Sequence, residues 1–382
     1  MQSSLVKQAK NIVEKLDVKF NDISFEYFTD IWDTYWSKLE LSDVFVTEMG
    51  IPDIFIRSLW ESPCYLFGGL YDTDVKTGEI FPQISDPIVK STFSILSAMS
   101  QDNVGKDVVV PVQNISSRKS LAYISELGYS VTALQQDGFS HGGFSQFEEA
   151  QEVFLLELQK RAEHILSKEK MSEVALLSTA ANRLFLKLDN SVLPTLLTSF
   201  IRQTYYMANN IQDWNIQTEK LLGSVNETDM ATKQVSLYGS SIYFPNAKIP
   251  FILGDLGITK YRNHCGVPSP CSYEKLLKEC NINGSDYIDK LHNIHYRWMN
   301  LNLGHLHNPC AKELKNSSGV IYHLLKGQLL YAYQAELVEK ECISNGIPFV
   351  CVETDYTDAD TEQLKIRLEA FSELIRQSGQ MS

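Results

Sequence analysis

From residue 51 onward the hydrophobic pattern alternates between two periods. Short apolar runs, PCYLFGG, DVVVPV and YSVTALQ, are rich in β-branched and aromatic residues and six or seven positions long. Between them lie segments whose apolar positions recur at three- and four-residue steps: IPDIFIRSLWES, DPIVKSTFSILSAM and SRKSLAYISELG. Runs this apolar suit strands buried on both faces, and the amphipathic pieces between them suit helical crossovers, so the pattern predicts parallel strands. Gly and Pro stand at the joins, where the chain has to turn.

The pattern changes over residues 145–230. Stretches such as QFEEAQEVFLLELQKRAEHILSKEK and SVLPTLLTSFIRQTYYMANNIQDW keep a period of 3.6 with no strand between them, which predicts a helical segment. Alternation returns with VSLYGSSIYF, PNAKIPFILGDLG, ITKYR, GVIYHLL, LLYAYQAELVEKECISNG and IPFVCVETD, then a last helix. That helix carries Leu364, Leu368, Phe371 and Ile375 on one face, with Thr357, Asp358 and Asp360 offering cap oxygens before it. Gly346 is placed to end the preceding helix, and Pro348 opens the strand beyond it. The expected fold is α/β, two Rossmann-like lobes with parallel sheets and a helical connection. Its divisions are an N-terminal helical segment at 1–50, a first α/β domain at 51–144, a helical segment at 145–230 and a second α/β domain at 231–382.

A chain of 382 residues suits several domains, each able to bury a core without staples. Its formal charge of −13 is spread along the sequence, and the longest basic cluster is Ser117-Arg118-Lys119. With no Lys/Arg stripe interleaved with aromatics, nucleic acid is not an expected partner. The first residues, MQSSLVKQAKNIVEKLDVKF, read as an amphipathic helix with lysines throughout and not as the apolar run of a signal peptide. No later run reaches membrane-spanning length, so neither a membrane nor an extracellular setting is expected; the expected location is cytoplasmic.

In open α/β sheets ligands gather beyond the carboxyl ends of the strands. The residues there are Gly68-Gly69, residues 113–117, Gly239-Ser240-Ser241, Lys326-Gly327-Gln328, and Glu353 with Asp355. None forms a Gly-rich dinucleotide turn, a phosphate loop or a nucleophile elbow. Glu353 and Asp355 suit acid/base work, although carboxylates so placed more often cap the next helix. Gly239, Ser240, Ser241, Gln328 and Glu353 are the candidate substrate-binding residues, and no residue is assigned a catalytic role. A second cluster lies between residues 264 and 323, with His264, Cys265, Cys271, Cys280, His292, His295, His305, His307, Cys310 and His323. Thiolates and imidazoles this dense suit zinc or iron, but His305-x-His307-x-x-Cys310 matches no strong ligand pattern, which favours a scattered set. Seven cysteines, odd in number, resemble no disulfide framework.

The runs GVIYHLLKGQLLYAY and GIPFVCVETDYTDADTEQLKIRLEAF resemble the 2-hydroxyacyl-CoA dehydratase family, which includes 2-hydroxyglutaryl-CoA dehydratase and ATP-dependent benzoyl-CoA reductase subunits. PDIFIRSLWESPCYLFGG, DPIVKSTFS and YGSSIYFPNAKIPFILGDLGITKYRNHC fit the same family, so the resemblance spans most of residues 50–375. It implies two α/β lobes, a [4Fe-4S] or related iron–sulfur cluster on cysteines of the strand-exit loops, and an acyl-CoA thioester near it. It also implies an ATP-dependent activator protein that supplies a low-potential electron, with which the substrate expels its hydroxyl or is reduced further.

Against that pattern the chain has Asp86 where a cysteine precedes Pro87, Asn114-Ile115-Ser116 where a Thr-Cys-Asp-like loop is expected, and Lys326-Gly327-Gln328 for Lys-x-Cys. Carboxylate, isoleucine and a neutral amide are poor replacements for three thiolates. The remaining candidate metal ligands are Cys265, Cys271 and Cys310. The leading expectation is therefore a partner subunit without the usual cluster, paired with a homologous cluster-bearing subunit and helping to form the acyl-CoA site. The alternatives are a catalytic subunit whose cluster sits on Cys265, Cys271 and Cys310, and a stand-alone acyl-CoA-binding module.

Overall fold

The computed structural model describes residues 3–47, 50–70, 80–81, 85–99, 105–112, 114–135, 139–225, 233–270, 272–273 and 311–377. Among the described residues eight strands form two separate four-stranded sheets, and every pairing is parallel. The first lobe contains β1 (Val44–Thr47), β2 (Cys64–Leu66), β3 (Asp107–Val112) and β4 (Ser130–Gln135), in the order β2-β1-β3-β4. The second contains β5 (Gln234–Gly239), β6 (Arg262–Asn263), β7 (Ser317–Leu325) and β8 (Phe349–Thr354), in the order β6-β5-β7-β8. The two lobes thus share one topology, with the strand order reversing between β1 and β3 and again between β5 and β7.

The two-lobed α/β expectation holds, and most predicted elements fall where their patterns put them. The Val-rich run of β3 is buried from Val108 to Val112, and β7 is buried at all but one position, as parallel strands covered on both faces should be. Helix α4 (Pro87–Ala98) follows Asp86, α5 (Ile115–Glu126) follows β3, and α12 (Leu329–Ser344) follows β7. Gly346 takes φ +65° just past α12, and the amides of Gly346 and Ile347 bond the carbonyls of Ile343 and Cys342, closing the helix end. The last helix, α13 (Thr361–Gln377), buries Leu364, Leu368, Phe371 and Ile375 together, as their spacing predicted.

Four local details differ. The N-terminal segment is not wholly helical: after α1 (Ser3–Lys19) and α2 (Glu26–Lys38) it supplies β1, an inner strand of the first sheet. Its four residues VFVT are too short a run to declare a period. Residues 240–244, SSIYF, leave the sheet because Ser240 turns onto β7, so β5 ends at Gly239. In ITKYR, pairing reaches only Arg262 and Asn263. The oxygens before α13 do not cap it by side-chain bonds: Asp360 accepts from Lys248 and Thr354, and Thr357 donates to Asp355.

Between the sheets run α6 (Phe139–Ala162), α7 (Lys168–Asn190), α8 (Thr195–Met207) and α9 (Ile211–Gly223), with no strand between them. Helix α8 is buried at every position but Ser199. From the first lobe, Arg57 on α3 (Asp53–Leu59) donates to the carbonyls of Tyr205, Tyr206 and Ala208 at its carboxyl end, at 3.0–3.3 Å. Toward the second lobe, Gln203 both donates to and accepts from the Phe244 backbone, Arg202 donates to the Val267 carbonyl and Tyr206 to the Pro268 carbonyl. One apolar core joins α1, α2, the first sheet and the helical segment to Tyr243, Phe244, Leu325 and Tyr356 of the second lobe. Two further clusters flank the second sheet, one against α10 (Lys248–Asp255) and α13, the other against α11 (Ala311–Lys315) and α12. Among the described residues no helix is long and apolar enough to cross a membrane.

Candidate functional site at the mouth between the lobes

The carboxyl ends of the two sheets face one another. Leaving β2, Gly68 and Gly69 take φ of +84° and +86°, and a Cβ on Gly69 would stand 2.7 Å from the Tyr243 carbonyl oxygen of the second lobe. Only glycine permits that conformation and that approach. On the other side, Gly239 has φ +107°, and a Cβ there would meet the His323 carbonyl oxygen at 2.0 Å. The Ser240 amide donates to that carbonyl and its Oγ accepts from the Leu325 amide, while the Ser240 carbonyl lies 2.7 Å from His323 Nδ1. The β5–β7 crevice is therefore sewn shut by backbone. His323 is buried, and desolvation first, with the Lys248 charge adding to it, pulls its pKa down to about 4 despite the Ser240 hydrogen bond.

Three helix beginnings converge beside this crevice. Asp86 caps α4, its Oδ1 accepting from the Ile88 amide at 2.9 Å. Asn114 caps α5 through a reciprocal box with Ser117: Asn114 Oδ1 accepts from the Ser117 amide, and the Asn114 amide donates to Ser117 Oγ. Gln328 precedes α12 but makes no side-chain cap. Instead its Nε2 reaches across the lobes to Asp86 Oδ2 at 3.0 Å, and Asn114 Nδ2 donates to the same oxygen at 3.2 Å. The Asp86 backbone amide donates to Ser116 Oγ. Asp86 is 7% exposed, and burial raises its pKa above the ordinary carboxylate range although Gln328, the Ile88 and Val89 amides and Asn114 all stabilise its charge.

The surrounding residues come from both lobes. Lys90, one helical turn beyond Asp86, is the one half-exposed position in residues 87–96 of α4; burial lowers its pKa against the opposing pull of Asp355 and Asp86. Asp355 pairs with Lys326 at 2.9 Å and accepts from both the amide and the hydroxyl of Thr357. Burial works against its ionisation, but those bonds hold its pKa below the ordinary value. Tyr356 is 8% exposed, and burial, then the Asp86 charge, raises its phenol well above its usual pKa. Tyr331 is raised in the same way, with Tyr243 and Asp86 adding to burial.

Of the residues expected at a substrate, Gln328 thus stands at the mouth. Gly239 and Ser240 hold the β5–β7 crevice together, Ser241 is half-buried beside them, and Glu353 is exposed on β8. Asn114, and not its neighbour Ile115, points to Asp86; Ile115 is 71% exposed. Cys265 is buried, donates weakly to the Leu237 carbonyl at 3.6 Å and has its thiol pKa pushed well up by burial. Cys271 and Cys310 lie outside the described residues, as do Cys280, His292, His295, His305 and His307. His264 stacks on Tyr238 with ring centroids 4.2 Å apart. Among the described residues no three His, Cys, Asp or Glu side chains are grouped to hold a metal ion. Lys90 and Tyr356 were not singled out by the sequence. Nothing local marks them, since both owe their place to the meeting of the lobes.

A separate cavity of about 640 Å³ opens at the amino ends of β1 and β2, lined by Tyr27, Tyr35, Trp60, Asp43 and Cys64 among others. That is the end of the sheet opposite the one where open α/β folds bind ligands.

A family model described as 2-hydroxyglutaryl-CoA dehydratase, D-component, matches residues 108–375, more than half the chain. The match includes Asn114, Gln328 and Tyr356 and begins after Asp86 and Lys90. No curated protein matches the chain.

Proposed function

The chain belongs to the 2-hydroxyglutaryl-CoA dehydratase D-component family, and from that premise we propose that it is the helper subunit of a 2-hydroxyacyl-CoA dehydratase- or benzoyl-CoA reductase-like complex. In this reading it pairs with a homologous subunit that bears the iron–sulfur cluster, contributes one side of the acyl-CoA site, and works in the cytoplasm. An ATP-dependent activator would serve the cluster-bearing partner.

The observation that carries this reading is the closed set Asp86, Asn114 and Gln328. An iron–sulfur cluster needs anionic sulfur or comparable lone-pair donors around it. Here the one carboxylate already accepts hydrogen bonds at both oxygens. The Asn114 amide cannot turn over to offer its oxygen, because that oxygen holds the Ser117 amide in the capping box. Gln328 likewise presents N–H to the centre. The set does not fit a cluster, and no step is derived through one. Cys265 adds no support for a cluster on the other side, since a buried, protonated thiol bonded to a carbonyl is a core residue in character.

The test is iron and acid-labile sulfide after oxygen-free purification. The expected outcome is neither, together with stable association with a cysteine-bearing homologue. About four irons per chain would overturn the reading.

A further inference from the structure

The cavity of about 640 Å³ at the amino ends of β1 and β2 lies at the end of the first sheet away from the mouth, and its volume is that of a small-molecule site. One wall is α2. Its Tyr27, Ile31 and Tyr35 stand at four-residue steps, and Asp30, Thr34 and Lys38 run beside them at the same step, so an apolar stripe and a polar stripe both line the space. The turn into β1 adds Asp43, and the link from α3 to β2 adds Trp60 and Glu61. Cys64, the first residue of β2, closes the lining.

The inner groups are neutral and already bonded. Tyr35 Oη donates to the Tyr65 carbonyl at 2.7 Å and accepts from Cys64 Sγ at 3.3 Å, so what Tyr35 has left to offer is its ring. Burial pushes the Cys64 thiol up to about 12 against the hydrogen bonds of Tyr35 and Ser42, and it holds the Tyr35 phenol well above its usual pKa. The outer groups are charged and unspent. Asp30, Asp43, Glu61 and Lys38 are exposed, and among the described residues none of the four side chains forms a hydrogen bond or ion pair.

Three carboxylates against one ammonium repel an anion and attract a cation. A single metal ion does not fit, because among the described residues no three His, Cys, Asp or Glu side chains are grouped to hold one. The carboxylates sit on three different segments and suit positive charges carried apart on one molecule. The rings between them suit the apolar chain joining those charges, and an aromatic face also attracts an ammonium directly.

We propose that this cavity binds an aliphatic polyamine, its ammonium groups on Asp30, Asp43 and Glu61 and its methylene chain against Tyr27, Tyr35 and Trp60. The site shares no residue with the mouth and does not depend on the acyl-CoA reading.

Calorimetry on the purified chain in physiological salt tests it, with spermidine, octanediol and magnesium as probes. Spermidine is expected to bind one site at least about tenfold tighter than either of the others. Asp30→Asn and Glu61→Gln should each weaken spermidine by about threefold without moving the melting temperature, since both residues are exposed. Lys38→Met, which removes the one repelling charge, should tighten it. Trp60→Leu should weaken it by about fivefold, and Trp60→Phe should restore most of that, which a general loss of folding would not allow. Glu373→Gln, an exposed carboxylate on α13 of the second lobe, controls for the net charge of −13 and should change nothing. Spermidine binding no tighter than magnesium, equal losses in Glu373→Gln and Asp30→Asn, or no binding at all would overturn the proposal.

Discussion

Two carboxylates from the first lobe are buried at opposite margins of the same core, and they are treated differently. Asp53, 3% exposed, accepts from the Tyr205 hydroxyl at 2.5 Å and from Ser178 at 2.7 Å. One turn along α3, Arg57 spends both terminal nitrogens on the end of α8. Asp86 is equally well hydrogen-bonded, but by side chains of both lobes, Asn114 of the first and Gln328 of the second. The spine at α8 uses polarity to fix one helix in place. The mouth uses it to hold one carboxylate between side chains of two lobes.

The sharpest way to test the contrast is to damage the spine. Arg57→Met should leave three carbonyls without a donor and cost about 4 kcal/mol, lowering the urea midpoint. A loss of less than about 1 kcal/mol would mean that the spine is not held this way. Next in size is Gly239→Ala, for which a Cβ against the His323 carbonyl and a positive φ should cost about 3 kcal/mol. A soluble, fully stable alanine variant would show that the crevice can open.

Acid should act on two groups of the mouth with opposite sign. Folding holds His323 at about 4, below its ordinary 6.5, so its contribution is complete above 6.5 and is lost as pH falls toward about 4. That amounts to about 3 kcal/mol across the window, and His323→Gln should flatten the slope in pH-dependent unfolding. Asp86 is raised above its ordinary 3.8, so its contribution is complete below 3.8 and is lost as pH climbs through the raised value. Asp86→Asn should therefore gain on the wild type from acid toward neutral pH, and an unchanged difference would dispose of the argument. Gln328→Ala, which removes one bond to the Asp86 carboxyl, should cost about 1 kcal/mol. A double-mutant cycle with Asp86→Asn should return most of that cost as coupling between residues 242 positions apart in the chain.

Much of the fold was readable because strongly periodic segments carry their own period. DVVVPV, GVIYHLL and the Leu364–Ile375 face each contain enough repeats to be decisive. VFVT in β1 and the two paired residues of β6 do not, and residues 240–244, SSIYF, look like strand until Ser240 is seen bonding β7. Gln328 and Asp86 were legible as strand-exit or helix-start positions standing where cysteines are expected. Their contact was not, because a hydrogen bond across 242 residues leaves no trace in local pattern. Lys248 illustrates the same limit: it reads as an ordinary helix-start lysine, yet its ammonium binds Thr354, the carbonyls of Asp355 and Thr357, and Asp360, thereby taking the oxygen expected to cap α13.

Because α8 is bonded at its carboxyl end by the first lobe and along its length by the second, a hinge between the sheets would have to break either the Arg57 contacts or those of Arg202, Gln203 and Tyr206. Swinging the lobes apart is thus a costly way to admit a guest. The cheaper route is for the Gln328 side chain to rotate away from Asp86, a gate one residue wide in a frame that stays rigid.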